Sequence, residues 1–591
     1  MVGNKVSGIE IYDAFVAGKN KVVNFREELN RINVFPVNDS NTGNNLSNTL
    51  MYITETIDPI NSPDEMVRLI ADASLSGARG NSGIIFAQFL NGLAVEISPT
   101  SFKREVFTYL INRAVPYAYS AVSKPAEGTI LTVMTDWADA LEKCSKEENN
   151  FKELFNKALE SAKISLKNTP EQLKVLKDAN VVDAGAQGFV HFLEGIADYI
   201  QGISLNLAGK NKNEFNHEDE ISSNELIEEQ YCCEALLIGS DIDTNIIKEI
   251  LEPLGSSLIV AGTKEKVKVH IHSNNPPKIF LELRKFGKIS QQKVDDMKME
   301  QELNHKQRHK IAIVTDSIAD LPLTYIEENQ IHVIPLNIDI EGSIFLDKVA
   351  INNEILFSIS ENLKVFPTSS QPSLKFIKQK LDYLKEKYDS IIIISVSSEM
   401  SGTWNVFNTL AKELQKEGVD ISLVNSCLNS GGQGLLVMEA AEMIKENFSL
   451  EEIVLKIEEA KKKTKIYVSV SDFNFMVRGG RVSPLKGKIG KLLNLKPIIS
   501  LDEKGKGYSF ASAMSQKGNL KKIKEIVINI QKKGRIKKYS IVHGHDIEKA
   551  EEYRRIFTEL IGQEPEYIEE ISSIVALSAG PGAVALCIME E

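Results

Sequence analysis

VFPVNDSNTGNNL, residues 34–46, is an apolar tetrad followed at once by a polar run that contains Asp39, Ser40, Asn41, Thr42, Gly43 and Asn45. Upstream, IYDAFVAGKNKVVNFREELNRI (11–32) sets Ile11, Phe15, Val22, Phe25, Leu29 and Ile32 at spacings near those of one helix face, so a helix delivers the cluster. Asn, Asp, Ser and Gly also close ordinary turns, and this stretch alone leaves a turn and a ligand site both open. The surrounding segment weighs on the choice. From about 8 to 203 the pattern is helical and broken by short loops, among them SGARGNSG (76–83), KPAEGTIL (124–131) and VVDAGAQGF (181–189). Glycines let backbone amides approach a ligand, and a helix N-terminus offers unpaired N–H groups. Gly77, Gly80 and Gly83 around Arg79, Asn81 and Ser82 therefore make a phosphate cradle or a simple capped turn. Four such loops in one helical domain are hard to explain by turns alone.

The chain of 591 residues is long enough for three or four domains. A net charge of −12 opposes a function driven by phosphate neutralisation, so no nucleic-acid partner is expected. No apolar run reaches 18 residues and the N-terminus has no hydrophobic signal core. An integral membrane protein is not expected, and a cytoplasmic location is. Cys144, Cys232, Cys233, Cys427 and Cys587 are odd in number and thinly spread, which fits a reducing compartment.

Beyond the helical region, LAGKNKNEFNHEDEISSNELIEEQ (207–230) reads as a linker. YCCEALLIG, SSLIVAG and KVKVHIHS then make a small α/β unit ending near 303, and QELNHKQRHK (301–310) is a second charged connector. Further on, KIAIVTDS, HVIPLNI, SIIIISVSS, ISLVNS and KIYVSVSD alternate with helices, which argues for a mostly parallel sheet. Residues 480–591 add a second α/β lobe. The expected domains are 1–205, 206–305 and 306–591. His270 and His272 share one strand face; with a cysteine they suit Zn²⁺, and without one they are a polar face.

The quartet VFPVNDSNTGNNL, SGARGNSG, KPAEGTIL and TPEQLKVLKDANVVDAGAQGF resembles the Dak2/DhaL nucleotide-binding domain in its fatty acid kinase branch. The resemblance implies an all-α barrel of eight helices holding ATP at one mouth, with paired Mg²⁺ ions between acidic side chains and phosphates. It assigns catalytic roles to Asp39, Asn41 and Thr42. It places the nucleotide on Gly43, Asn45, Arg79, Asn81, Ser82, Gly83, Gly128, Thr129, Asp183 and Gly185, and Mg²⁺ on Asp39 and Asn41. The family loop usually reads Asp-Gly-Asp-Thr-Gly, whereas this chain has Asp39, Ser40, Asn41, Thr42, Gly43. A neutral carbonyl stands where a second carboxylate belongs, which weakens the Mg²⁺ site, and Ser40 constrains the turn.

YCCEALLIG with VKVHIHSNNP and KISQQKVDDMKMEQ resembles the middle domain of fatty acid kinase A proteins. This implies a structural Zn²⁺ on Cys232, His270 and His272, with Cys233 as the competing cysteine. From about 309 the stretches IAIVTDSIADLP, FPTSSQPS, ISVSSEMSGTWN, VNSCLNSGGQGLL, VRGGRVSPLKGKIGKLLNLKPIIS and ALSAGPGAV resemble the DegV family of fatty-acid-binding proteins. A two-lobed α/β fold is implied, with the acyl carboxylate on Ser369, Ser401, Gly402, Arg481 and Ser578. Ser578 stands where that family usually has His. The implied reaction is ATP-dependent phosphorylation of a fatty acid to an acyl phosphate for lipid synthesis. A transient contact with a membrane acyltransferase and a homodimer are further expectations. A fatty-acid carrier or sensor with a silent kinase domain is the alternative, and a dihydroxyacetone-kinase-like subunit the lesser one.

Overall fold

A computed structural model describes residues 6–37, 40–98, 103–148, 150–203, 227–360, 363–471, 473–480 and 495–591. Asp39, Arg481 and the linker up to residue 226 lie outside the described residues. Two compact units divide the chain, 1–301 and 302–591.

In the first unit, the described residues include eight helices of at least fifteen residues: Gly8–Asn24, Thr42–Thr56, Pro63–Gly77, Gly80–Glu96, Arg104–Ala121, Ile130–Ser145, Phe151–Gln172 and Ala184–Gln201. Their starts are written into the sequence. Ser7 and Glu10 form a capping box, Pro63 sits in a first turn, and Asp183 caps the last helix through Ala186 N. Each satisfies or removes an N–H that helix geometry leaves unpaired. Helix Gly8–Asn24 packs on Ala184–Gln201, and the contacts continue through Phe151–Gln172, Ile130–Ser145, Arg104–Ala121, Gly80–Glu96 and Pro63–Gly77 back to the first helix. A barrel results. One end encloses an apolar cavity of about 980 Å³ lined by Phe15, Phe86, Phe89, Trp137, Phe189 and Phe192.

Residues 231–296 form a four-stranded antiparallel sheet in the order Ser256–Gly262, Lys266–Ser273, Tyr231–Ile238, Lys288–Asp296. Its register sets Cys232 opposite His272 and Asp295, and Glu234 opposite His270 and Lys293. Alternation puts these six side chains on one face. Strand Ser256–Gly262 lies on the helix Gly80–Glu96. Gln88 accepts a hydrogen bond from Gly262 N (2.9 Å), and Ser123 N donates to the Leu258 carbonyl (3.2 Å).

The second unit holds a parallel sheet ordered Asp420–Asn425, Ser390–Ser395, Ile311–Asp316, His332–Ile334. A six-stranded sheet makes the other lobe, and a three-stranded one joins Asn337–Ile340 to Ser343–Leu346 and Thr368–Ser370. Two expectations are corrected. KIYVSVSD does not extend the parallel sheet: Thr464–Ser469 pairs antiparallel with Val584–Glu590 and Lys496–Leu501 in the second lobe. The connector QELNHKQRHK begins as helix, because Met297–His305 continues straight out of the last strand of the small sheet. Apolar strands buried on both faces look alike whichever direction they run, so composition could not assign the first.

Among the described residues, no helix is long and apolar enough to cross a membrane.

Candidate functional site

The Gly-rich loops converge on the barrel end opposite the apolar cavity. A cleft of about 280 Å³ there is lined by Asn81, Ser82, Thr129 and Asp183, by the Phe35–Pro36 corner, and by Ser256–Ile259 of the small sheet. This volume falls just below the roughly 300–1,000 Å³ of ligand clefts. Three long helices, Gly80–Glu96, Ile130–Ser145 and Ala184–Gln201, begin at its wall. The Asn81 side-chain oxygen is buried and meets no donor among the described residues.

The glycines are positioned by contact as well as by conformation. Gly185 has no room for a side chain, since a Cβ would stand 2.4 Å from Ser82 Oγ. Gly80, at φ 60°, lies so close that a Cβ would meet Asn45 Nδ2 at 2.5 Å. A Cβ on Gly83 would likewise crowd Thr49 Oγ1, and one on Gly43 the Arg26 carbonyl. Gly128 adopts φ 79° and donates from its amide to Thr132 Oγ1 (2.9 Å), while Thr129 Oγ1 donates to the Ala126 carbonyl. Asp183 is buried, and burial raises its pKa to about 6 against the backbone N–H groups of Ala186, Ile130 and Gly185 that favour its charge. One carboxylate thereby ties two helix starts together.

In the opening loop, Thr42 Oγ1 donates to Asn33 Oδ1, and Asn41 Oδ1 accepts from Asn45 Nδ2 at 2.6 Å. The carbonyl that stands in for the missing carboxylate is thus already engaged within the loop. Ser40 has φ 53°, a left-handed conformation that costs an L-residue about 1–2 kcal/mol and suits glycine. Asp39 itself is outside the described residues.

On the small sheet, Cys232 Sγ is 3.7 Å from His270 Nδ1, and His270 Nε2 is 3.1 Å from His272 Nε2. The ligand atoms of the three residues all lie within 4.8 Å of one another. Cys233 points to the opposite face. One sulfur and two imidazoles suit Zn²⁺ by softness and geometry. Burial lowers the His272 pKa to about 3, leaving the neutral ring that ligation needs. We expect about one zinc per chain by elemental analysis; an unchanged metal content in the His270→Ala, His272→Ala double variant would disprove this.

Sequence reasoning passed over Glu234. Its carboxylate accepts from Gly80 N (2.7 Å) and from Arg79 (3.2 Å), and lies 3.2 Å from Lys268 Nζ and 3.7 Å from His270 Nδ1. Burial works to raise its pKa, but Lys268, His270, Lys293 and Arg79 together hold it well below the usual carboxylate range. Arg79 is drawn to this carboxylate across 155 residues of sequence.

In the second unit, Ser401 Oγ caps Thr403 N (3.2 Å) and pairs with Thr403 Oγ1 (2.8 Å) at the start of helix Thr403–Lys416. Gly402 abuts Gln371, whose Oε1 would stand 2.4 Å from a Cβ there; this brings the exposed Ser369 strand to the same helix start. Ser578 is on another element. It lies near the end of helix Ser573–Ala579 against Gly479, and among the described residues no hydrogen bond joins it to Ser369 or Ser401. Arg481 is outside the described residues. The helix bearing Ser578 is held at its start by two buried carboxylates, with Ser572 N on Asp320 and Ser573 N on Asp347, each at 2.8 Å.

Residues 36–198 match the DAK2 domain, 228–304 the FakA-like middle domain of fatty acid kinases, and 310–591 the DegV family. A barrel of the first kind, a small α/β domain of the second and a two-lobed α/β unit of the third are thus joined in one multidomain chain. The chain belongs to the DegV family. A DegV domain-containing protein of Clostridium acetobutylicum is 34% identical over 285 residues, 48% of this chain and 99% of that protein. An uncharacterized protein of Staphylococcus aureus is 32% identical over 321 residues, 52% of this chain but 58% of that protein. Among solved structures, DegV, a fatty acid binding protein from Bacillus subtilis, is similar at 27% identity over 48% of this chain and 100% of its own, with a TM-score of 0.43. A fatty acid binding DegV family protein from Streptococcus agalactiae, also 27% identical, covers 48% of this chain and 99% of its own at a TM-score of 0.44.

Proposed function

We propose that this chain phosphorylates a fatty acid with ATP, the helical domain holding the nucleotide and the C-terminal domain holding the acyl group. The observation that carries the proposal is the 280 Å³ cleft where three helix N-termini meet Asn81, Ser82, Thr129 and Asp183. Such helix starts favour anions through their dipoles; Gly80 N is already on Glu234, and the Ile130, Gly185 and Ala186 N–H groups are on Asp183. The fatty acid rests on the order of domains and on Ser369, Ser401 and the Gly402 amide, which offer hydroxyl and N–H donors to a carboxylate. In the reaction a carboxylate oxygen bonds to the γ-phosphorus as the bond to the ADP oxygen breaks, giving an acyl phosphate. When bound, Mg²⁺ neutralises phosphate charge; Asp39 and Asn41 are the residues assigned to hold it. Asn81 and Ser82 orient the phosphates, and Thr129 and Asp183 complete the lining.

A second reading, carriage without catalysis, is favoured by one observation: the Asn41 carbonyl is occupied by Asn45. Acceptor-dependent ADP release separates the two. Kinase function predicts ADP release with oleate and none with dihydroxyacetone. Release with dihydroxyacetone alone would reverse the substrate class, and release with neither would leave carriage.

A further inference from the structure

Glu234 stands between two sites that sequence treats as separate. On one side is the Cys232, His270, His272 cluster, and on the other the Gly80 amide that opens a wall of the nucleotide cleft. We propose that Glu234 is a positioning residue that couples metal occupancy of the cluster to nucleotide affinity at the cleft. This rests on the nucleotide reading given above.

The geometry supplies a continuous path. His270 Nε2 is 3.1 Å from His272 Nε2, and His270 Nδ1 is 3.7 Å from both Glu234 Oε1 and Cys232 Sγ, so His270 is the residue of the cluster that meets Glu234. Metal-bound histidines characteristically donate their second N–H to a carboxylate, which fixes ring and carboxylate together. The same Glu234 accepts from Gly80 N at 2.7 Å and from Arg79 at 3.2 Å. Gly80 in turn lies so near Asn45, which donates to Asn41 Oδ1, that a Cβ on it would stand 2.5 Å from Asn45 Nδ2. Glu234 is itself buried, so its carboxylate has few alternative arrangements.

Charge gives the coupling its sign. Glu234 places a negative charge at the start of helix Gly80–Glu96, on the end that would attract a phosphate. Lys268 and Arg79, each 3.2 Å from it, together outweigh that single charge, so the local balance is already positive and a cation adds to it. A divalent cation with the Cys232 thiolate adds a net positive charge to the same cluster. Metal occupancy therefore both steadies the Gly80 amide and makes the cleft more favourable to an anion, so the two ligands strengthen one another. By linkage the effect is reciprocal.

The test uses the full-length protein, zinc-loaded or stripped with a chelator, with Mg²⁺ restored and zinc content measured in each case. Titration with Mg-AMPPNP should show affinity at least about tenfold higher in the zinc-loaded form. In Glu234→Gln that ratio should fall to about two or less while zinc still binds. Equal affinity in the two native forms would overturn the coupling and leave the nucleotide site intact; no binding in either form would overturn both. Amide exchange at Gly80 gives a reading that needs no variant. Zinc removal should speed it at least about tenfold, and an unchanged rate would contradict the role of Glu234.

Discussion

Replacing Asn41 by aspartate should strengthen Mg²⁺-dependent ATP binding by at least about tenfold and raise any phosphotransfer rate with it. Asn41 offers a single carbonyl, and Asn45 Nδ2 already donates to it at 2.6 Å. An aspartate keeps that acceptor and adds a second oxygen with a full charge. Two unit charges about 4 Å apart interact by roughly 4 kcal/mol at an effective dielectric near 20, so tenfold, about 1.4 kcal/mol, is a discounted figure. Asp39→Ala should abolish Mg²⁺-dependent binding. A plain turn behaves in the opposite way: a new carboxylate beside Asp39 with no cation meets like charge and lowers stability. Thermal melts of both proteins across a Mg²⁺ titration with ATP present decide between these. No ATP-dependent stabilisation in either would reduce the cluster to a turn.

Asp320→Ala should destabilise the C-terminal unit by about 3 kcal/mol, the lower end of the cost of removing one partner of a buried ion pair, because the Lys348 side chain is 25% exposed. Asp320 is fully buried and accepts from Lys348 Nζ at 2.7 Å, from Ser572 N at 2.8 Å, and from the Ser430 hydroxyl. Alanine leaves that ammonium and two donors without their acceptor. It also frees one end of the helix carrying Ser578. The chain has two tryptophans, Trp137 and Trp404, one in each unit. Urea unfolding followed by Trp404 in a Trp137→Phe background therefore reports on this unit. A loss below about 1 kcal/mol would show that the network contributes little.

What was legible in the sequence follows from how locally each feature is encoded. Helical periodicity and caps such as Ser7 with Glu10 or Asp183 before Ala184 lie within a few residues of what they control, so the helices and their loops were readable. The cluster of Cys232 with His270 and His272 was half legible: strand alternation aligns the histidines, while the cysteine's side of the sheet depends on register. Glu234 was not assigned, because its meaning lies in the Gly80 amide 154 positions away. The wall formed by Ser256–Ile259 was hidden for the same reason. Thr464–Ser469 was placed in the wrong sheet because an apolar strand carries no mark of its partner's direction. Ser40 is the reverse case. Its substitution for the family's glycine was visible, and φ 53° shows what the turn demands of it.

The most direct test of the account follows the phosphoryl group itself. Zinc-loaded protein carrying oleic acid would be incubated with Mg²⁺ and γ-labelled ATP, and acyl phosphate trapped with hydroxylamine. The account predicts label in a hydroxylamine-sensitive oleoyl product, more of it in Asn41→Asp, and little in an Asn81→Ala, Ser82→Ala double variant that still carries oleic acid. Absence of labelled acyl phosphate from both the native and the Asn41→Asp protein, with oleic acid and Mg-ATP shown to be bound, would contradict it.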